Sequence, residues 1–209
     1  MKIQLALDLL DEEQALNMVK MVGDNVDIIE VGTSLLKLAG VQLIEKIRSI
    51  TPNKPIFIDM KIIDGPEREA TLMANVKADY YSMLAVATDT AITKVLNIAQ
   101  KHHAQVVFDM QSVTNYQERS LQLKNLGAQM ICVHKNCDCG DSFNEAFNEF
   151  IDIKAITQLP VALAGGINLI TLPEIKKQLK PEVVIIGGTI LKAEDPIATT
   201  KALRIIADS

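Results

Sequence analysis

No apolar run in this 209-residue sequence approaches the ~20 residues that a membrane-spanning helix needs. There is no basic stripe either. The formal net charge is -5 and the pI about 5.3, so nucleic acid is not an expected partner. The start, Met1-Lys2-Ile3-Gln4, lacks the order of a signal peptide and runs directly into a strand. Cysteine is scarce. Cys132, Cys137 and Cys139 make an odd count in a chain with a large core, which argues for reduced thiols and a cytoplasmic setting. Cys137 and Cys139 are too closely spaced for a zinc-knuckle pair, and no second pair exists. No linker and no low-complexity segment interrupts the chain. At 48% hydrophobic, it can fill one core and is too short for two ordinary domains, so residues 1–209 read as one domain.

What is there is a strict alternation. Short apolar runs at 3–7, 27–31, 55–59, 80–84, 105–109, 130–134, 160–164 and 182–186 read as strands. They are nearly continuous in hydrophobicity, as strands buried on both faces are. Helices fill the gaps. Asp11 caps the first, with Gln14 three residues on as in a capping box, and Gly23 closes it near Val22. The second runs from Ser34 to about Ile50 with a break at Gly40. Others cover 67–77, a stretch capped by Thr88 or Asp89 and reaching His102, 116–126 stopping at Gly127, 143–157, 172–179, and a last helix opened by Asp195-Pro196. Eight strand–helix repeats predict a (β/α)8 TIM barrel, an α/β fold, at the small end of its size range. A doubly wound open sheet is the rival, but it usually has fewer strands and one Gly-rich first turn.

In such a barrel, function gathers at the C-terminal ends of the strands. Those ends carry Asp8, Glu30, Asp59 with Lys61, Asp109, His134, Gly165-Gly166 and Gly187-Gly188. In an extended chain Asp59 and Lys61 share one face, and Asp64 follows just before Gly65-Pro66. A salt bridge capping a strand end would explain the charges as well, and such bridges are common and weak. The glycine pairs after strands seven and eight suit a phosphate group, because backbone N–H groups can approach it; tight turns are the plainer alternative. Glu30 and Asp59 end neighbouring strands and could share a magnesium ion, which favours one or two carboxylates. His134 is the one histidine at a strand end and a candidate general base, whereas His102 and His103 sit at a helix terminus. Lys61 among carboxylates stays charged and suits electrostatic stabilisation better than imine chemistry. Together these groups suit forming an enediolate on a sugar phosphate, with the metal holding its two oxygens.

The signature Asp59-Met-Lys61-Ile-Ile-Asp64 resembles that of the orotidine 5′-phosphate decarboxylase superfamily. Leu5-Ala-Leu-Asp8, Val26-Asp-Ile-Ile-Glu-Val-Gly-Thr33, Ile131-Cys-Val-His134, Val161-Ala-Leu-Ala-Gly-Gly-Ile167 and Ile185-Ile-Gly-Gly188 extend the likeness along nearly the whole chain. It is nearest to the branch of hexulose-6-phosphate synthases and 3-keto-L-gulonate-6-phosphate decarboxylases. Asp109, Cys137, Ala164 and Gly188 stand where that branch's decarboxylases have Glu, Arg, Thr and Arg, and all four are similar to the synthase pattern. The resemblance implies a Mg²⁺-dependent aldolase, a carbon–carbon lyase condensing formaldehyde with D-ribulose 5-phosphate to D-arabino-3-hexulose 6-phosphate. It implies His134 as base, Glu30 and Asp59 as metal ligands, Lys61, Asp59 and Asp109 in catalysis, and Asp8 with the four glycines on the substrate. It also implies a homodimer in which Asp64 reaches the partner's site. The loop Lys135-Asn-Cys-Asp138-Cys-Gly-Asp-Ser-Phe143 departs from the family's Thr-Gly-Tyr-Asp, keeping only Asp138, and Gly65-Pro66-Glu67-Arg68 departs beside Asp64. The decarboxylase activity is the alternative. A sugar-phosphate-binding barrel without catalysis is the reading from another class.

Overall fold

A computed structural model describes residues 1–9, 11–135 and 143–209. Cys137, Asp138 and Cys139, which figure in the readings above, lie outside the described residues. Eight parallel strands close in sequential order, β1 to β8, as the alternation predicts. The strands are β1 (Lys2–Leu7), β2 (Ile28–Val31), β3 (Ile56–Ile62), β4 (Tyr80–Leu84), β5 (Gln105–Asp109), β6 (Met130–His134), β7 (Val161–Ala164) and β8 (Val183–Ile186). The helices are α1 (Glu12–Val22), α2 (Thr33–Ala39), α3 (Gln42–Ile50), α4 (Pro66–Asn75), α5 (Asp89–Lys101), α6 (Tyr116–Leu126), α7 (Phe143–Thr157), α8 (Thr171–Gln178), α9 (Gly188–Leu191) and α10 (Pro196–Asp208).

The chain divides into two compact units. One comprises residues 1–60 with 167–209, the other residues 61–166. In the first, β1 pairs with β2 on one side and β8 on the other, with Ala6 opposite Glu30 and Leu5 opposite Ile186. Its helices bury one apolar stripe each. In α3, Leu43, Ile44 and Ile47 recur at helical spacing and are fully buried. Asp11 caps α1 as expected, its Oδ1 accepting the Gln14 N–H at 2.8 Å. Gly23 does end α1, but not in the left-handed conformation that usually makes glycine a helix stop. Its φ is -54° and the chain tightens into a 3-10 turn over Gly23–Asn25. Space is tight there, since a Cβ would stand 3.1 Å from Thr51 Cγ2 and that methyl would have to give by a few tenths of an ångström. Arg204 of α10 ties the chain ends together, reaching Asp27 Oδ2 at 2.5 Å and Met1 O at 2.9 Å.

In the second unit β4, β5, β6 and β7 run side by side, with Leu84 opposite Asp109, Asp109 opposite Cys132 and His134 opposite Ala164. Gly127 ends α6 with φ +98°, where a side chain would be strained. Arg119 of α6 holds the loop after β4. Its Nε and Nη2 donate to Ala85 O and Ala87 O at 2.6 Å each, and Nη1 reaches Asp89 Oδ1 at 2.6 Å. Arg119→Ala is expected to lower unfolding free energy by ~2–4 kcal/mol, since two carbonyls lose charged donors. Denaturant titration with an unchanged m-value checks it.

Most boundaries lie within a residue or two of those expected. The third strand is the exception: it continues past Asp59 to Ile62. Its two charged side chains both have partners, Asp59 with Thr33 and Lys61 with Asp109. Gly40 breaks the second helical stretch into α2 and α3, as expected, and Gly65-Pro66 opens α4.

Candidate active site

In the second unit the chemistry centres on Asp109. It ends β5 with only 4% of its surface exposed. One oxygen, Oδ2, lies 2.8 Å from His134 Nδ1 and 3.2 Å from Lys61 Nζ. The other, Oδ1, accepts the Gln111 N–H at 2.8 Å. Burial by itself would raise the Asp109 pKa. The hydrogen bond and charge of His134, the Lys61 ammonium and the Gln111 N–H outweigh it and hold the carboxyl below its ordinary value. Asp109 is therefore ionised and can only accept, which assigns the proton of the shared bond to His134 Nδ1. With Nδ1 as the donor, a neutral His134 presents its acceptor nitrogen at Nε2, the one a general base uses. The ring itself is partly exposed.

Register explains the convergence. Asp109 is opposite Cys132, and His134 is two residues further along β6 on the same face. Lys61 arrives differently. Its φ is +49°, so the simple alternation expected for Asp59, Met60 and Lys61 breaks at the lysine. A non-glycine residue in that region costs ~1–3 kcal/mol and persists only where its surroundings hold it. The Lys61 N–H donates to Ser82 Oγ of β4 at 2.8 Å. Ser82 is buried, a polar residue inside the apolar run Tyr80-Tyr-Ser-Met-Leu84. That interruption was a signal in the sequence that strand-end reasoning passed over.

In the first unit two carboxylates stand on neighbouring strands. Glu30 is opposite Phe57 of β3, and Asp59 lies two residues beyond Phe57 on the same face. Both are buried. Gln4 Nε2 donates to Glu30 Oε2 at 2.6 Å. Thr33 Oγ1 is 2.7 Å from Asp59 Oδ2 and 2.8 Å from Asp59 O, and its single proton serves one of them at a time. Gln4 and Thr33 are further residues that sequence reasoning missed, although a glutamine within Ile3-Gln4-Leu5 is also an interruption. Among the described residues no three His, Cys, Asp or Glu side chains form a metal cluster. Two hard carboxylate donors nevertheless fit magnesium, which takes one or two protein carboxylates and completes its shell with water and substrate oxygens.

The glycine pairs differ from each other. Gly165 and Gly166 have φ of +102° and +65°, and a Cβ on Gly165 would collide with the Lys135 carbonyl. Only glycine fits there. Gly187 would place a Cβ 3.3 Å from both Ala6 O and Asp8 Oδ2. Gly188, the first residue of α9, has nothing within 4 Å of that position. Asp8 is exposed beyond β1, and its carboxylate also fills the space that a side chain at Gly32 would need. Asp64 is exposed in the bend between β3 and α4. Cys132 is buried. No helix among the described residues is long and apolar enough to cross a membrane.

Comparison with known proteins agrees with this fold. A 3-hexulose-6-phosphate synthase of Mycobacterium gastri is 34% identical over 204 residues, covering 98% of each chain. The crystal structure of 3-hexulose-6-phosphate synthase from Salmonella typhimurium superposes with a TM-score of 0.93 at 34% identity, covering 99% of this chain and 98% of that one. A crystal structure of KGPDC from Streptococcus mutans has a TM-score of 0.92 at 23% identity over 99% of this chain and 97% of that one, a likeness of fold. The protein is an enzyme, a carbon–carbon lyase of the aldolase type. With the pattern of the orotidine 5′-phosphate decarboxylase / HUMPS family matching residues 1–203, the chain belongs to that family.

Proposed function

We propose that this protein, as one barrel domain over residues 1–209, condenses formaldehyde with D-ribulose 5-phosphate to D-arabino-3-hexulose 6-phosphate. The observation that carries the reading is His134 held through Nδ1 by an ionised Asp109 that also binds the Lys61 ammonium. Whole-length identity to the named synthases supports it.

His134 Nε2 takes a proton from C1 of the keto sugar, leaving an enediolate. Asp109 stabilises the imidazolium that forms and keeps the ring oriented. Lys61 supplies positive charge where the oxyanion develops, in a partly buried setting where that charge counts for more than in water. C1 then forms a bond to the carbon of formaldehyde, and His134 returns the proton to the formaldehyde oxygen. Glu30 and Asp59 would hold Mg²⁺, whose charge, when bound, favours the enediolate over the ketone. The phosphate rests on backbone N–H groups around Gly165, Gly166, Gly187 and Gly188, with Asp8 on a substrate hydroxyl. The enzyme works as a homodimer in the cytoplasm, with the exposed Asp64 completing the partner's site.

The test is formaldehyde consumption by purified protein with ribulose 5-phosphate. Consumption that needs Mg²⁺ and stops with a chelator is expected, with recovery when the metal is restored. Release of carbon dioxide from 3-keto-L-gulonate 6-phosphate without formaldehyde consumption would overturn the assignment in favour of the decarboxylase. Binding of ribulose 5-phosphate with no turnover would leave only a sugar-phosphate-binding barrel.

A further inference from the structure

Six non-glycine residues among those described have positive φ: Lys61, Lys77, His103, Ser112, Gln158 and Lys180. Five of them lie in turns or loops, where such conformations are ordinary. Lys61 is within a strand. It is also a residue with a charged partner in the candidate site. Its backbone and its side chain are held separately. The ammonium lies 3.2 Å from Asp109 Oδ2, and the N–H donates to Ser82 Oγ at 2.8 Å. Ser82 is 2% exposed and opposite Val107, two residues before Leu84 meets Asp109. The hydroxyl that grips the Lys61 backbone and the carboxylate that receives its amine thus lie on one face of the adjacent strands β4 and β5.

We propose that Ser82 is a positioning residue for the reaction: its buried hydroxyl holds Lys61 in the left-handed backbone conformation that delivers the ammonium to Asp109. The inference rests on the aldolase reading, in which that ammonium faces the developing oxyanion. Ser82 acts through Lys61 and not on the substrate. Without the hydroxyl, the Lys61 N–H loses an acceptor and φ is drawn toward the extended values usual in a strand. That rotates the side chain about its own backbone. Displacement of a catalytic group by about 1 Å can cost ~10²-fold in rate.

Ser82→Ala is expected to lower kcat by ~10- to 100-fold with KM changed by less than about threefold. Ser82→Thr, which keeps the hydroxyl, should recover most of the loss. In a Lys61→Ala background, Ser82→Ala should cause no further loss, as two residues acting through one ammonium require. An unchanged kcat, or the same loss in both backgrounds, would overturn the proposal. Amide hydrogen exchange of uniformly ¹⁵N-labelled protein supplies a readout free of turnover. The Lys61 N–H should exchange at least ~10-fold faster in Ser82→Ala while amides of the β5–β6 ladder keep their protection. If the wild-type protein consumes no formaldehyde, the aldolase reading falls by itself. The exchange rate still decides on Ser82, and unchanged Lys61 protection would reject its role.

Discussion

Asp109→Asn is expected to reduce kcat by ~10³- to 10⁴-fold while leaving the fold intact, as amide replacements in Asp–His pairs do elsewhere. The variant is nearly isosteric, so the effect is one of hydrogen-bond direction. The Gln111 N–H needs an acceptor and claims the amide oxygen at the Oδ1 position. The amide nitrogen then occupies the Oδ2 position, facing two donors, His134 Nδ1 and Lys61 Nζ. His134 can answer only by accepting at Nδ1, which moves its proton to Nε2 and removes the base. Lys61 loses its carboxylate at the same time. Steady-state kinetics and a thermal melt check the prediction. A kcat within tenfold of wild type would show that the Asp109–His134 bond does not set the reactive tautomer.

Lys61→Ala is expected to cost ~10³-fold in kcat, the scale of removing a principal electrostatic donor from a transition state. It should also change acid stability, and the sign follows from Asp109. That carboxyl has its folded pKa depressed, so its contribution is present above the ordinary carboxylate value and is lost as pH falls through the lower folded value. The Lys61 ammonium is one of the groups holding it down. Without the lysine the folded pKa rises, because burial is then opposed by His134 and Gln111 alone. Acid unfolding should therefore begin at higher pH in the variant than in wild type. Acid titration followed by circular dichroism measures it. Coincident acid transitions, with activity retained, would remove Lys61 from both roles.

The barrel was legible because its strands are buried on both faces, and such strands appear as bare apolar runs between capped amphipathic helices. Tyr80–Leu84, Gln105–Asp109, Met130–His134, and the helices 116–126 and 143–157 were read to the residue. The third strand was ended at Asp59, three residues short of Ile62, because the charge of Lys61 looks out of place in a strand when its partner is unknown. The four-residue α9 carried no periodicity to detect. Gly187 and Gly188 were read together as a phosphate-binding pair; the space differs between them, crowded at Gly187 and open at Gly188.

By itself, the sequence determined the order of elements, their caps and stops, and which polar residues end the strands. Those properties depend on neighbours a few positions away, where propensity, burial pattern and capping chemistry act. Only the tertiary structure decided the partners: that Lys61 and His134 share one oxygen of Asp109, that Gln4 supports Glu30, that Thr33 supports Asp59, and that Ser82 grips a lysine bent out of strand geometry. All five pairs join residues 21 to 48 positions apart. Their meeting is set by strand register, which each side chain obeys but none encodes alone.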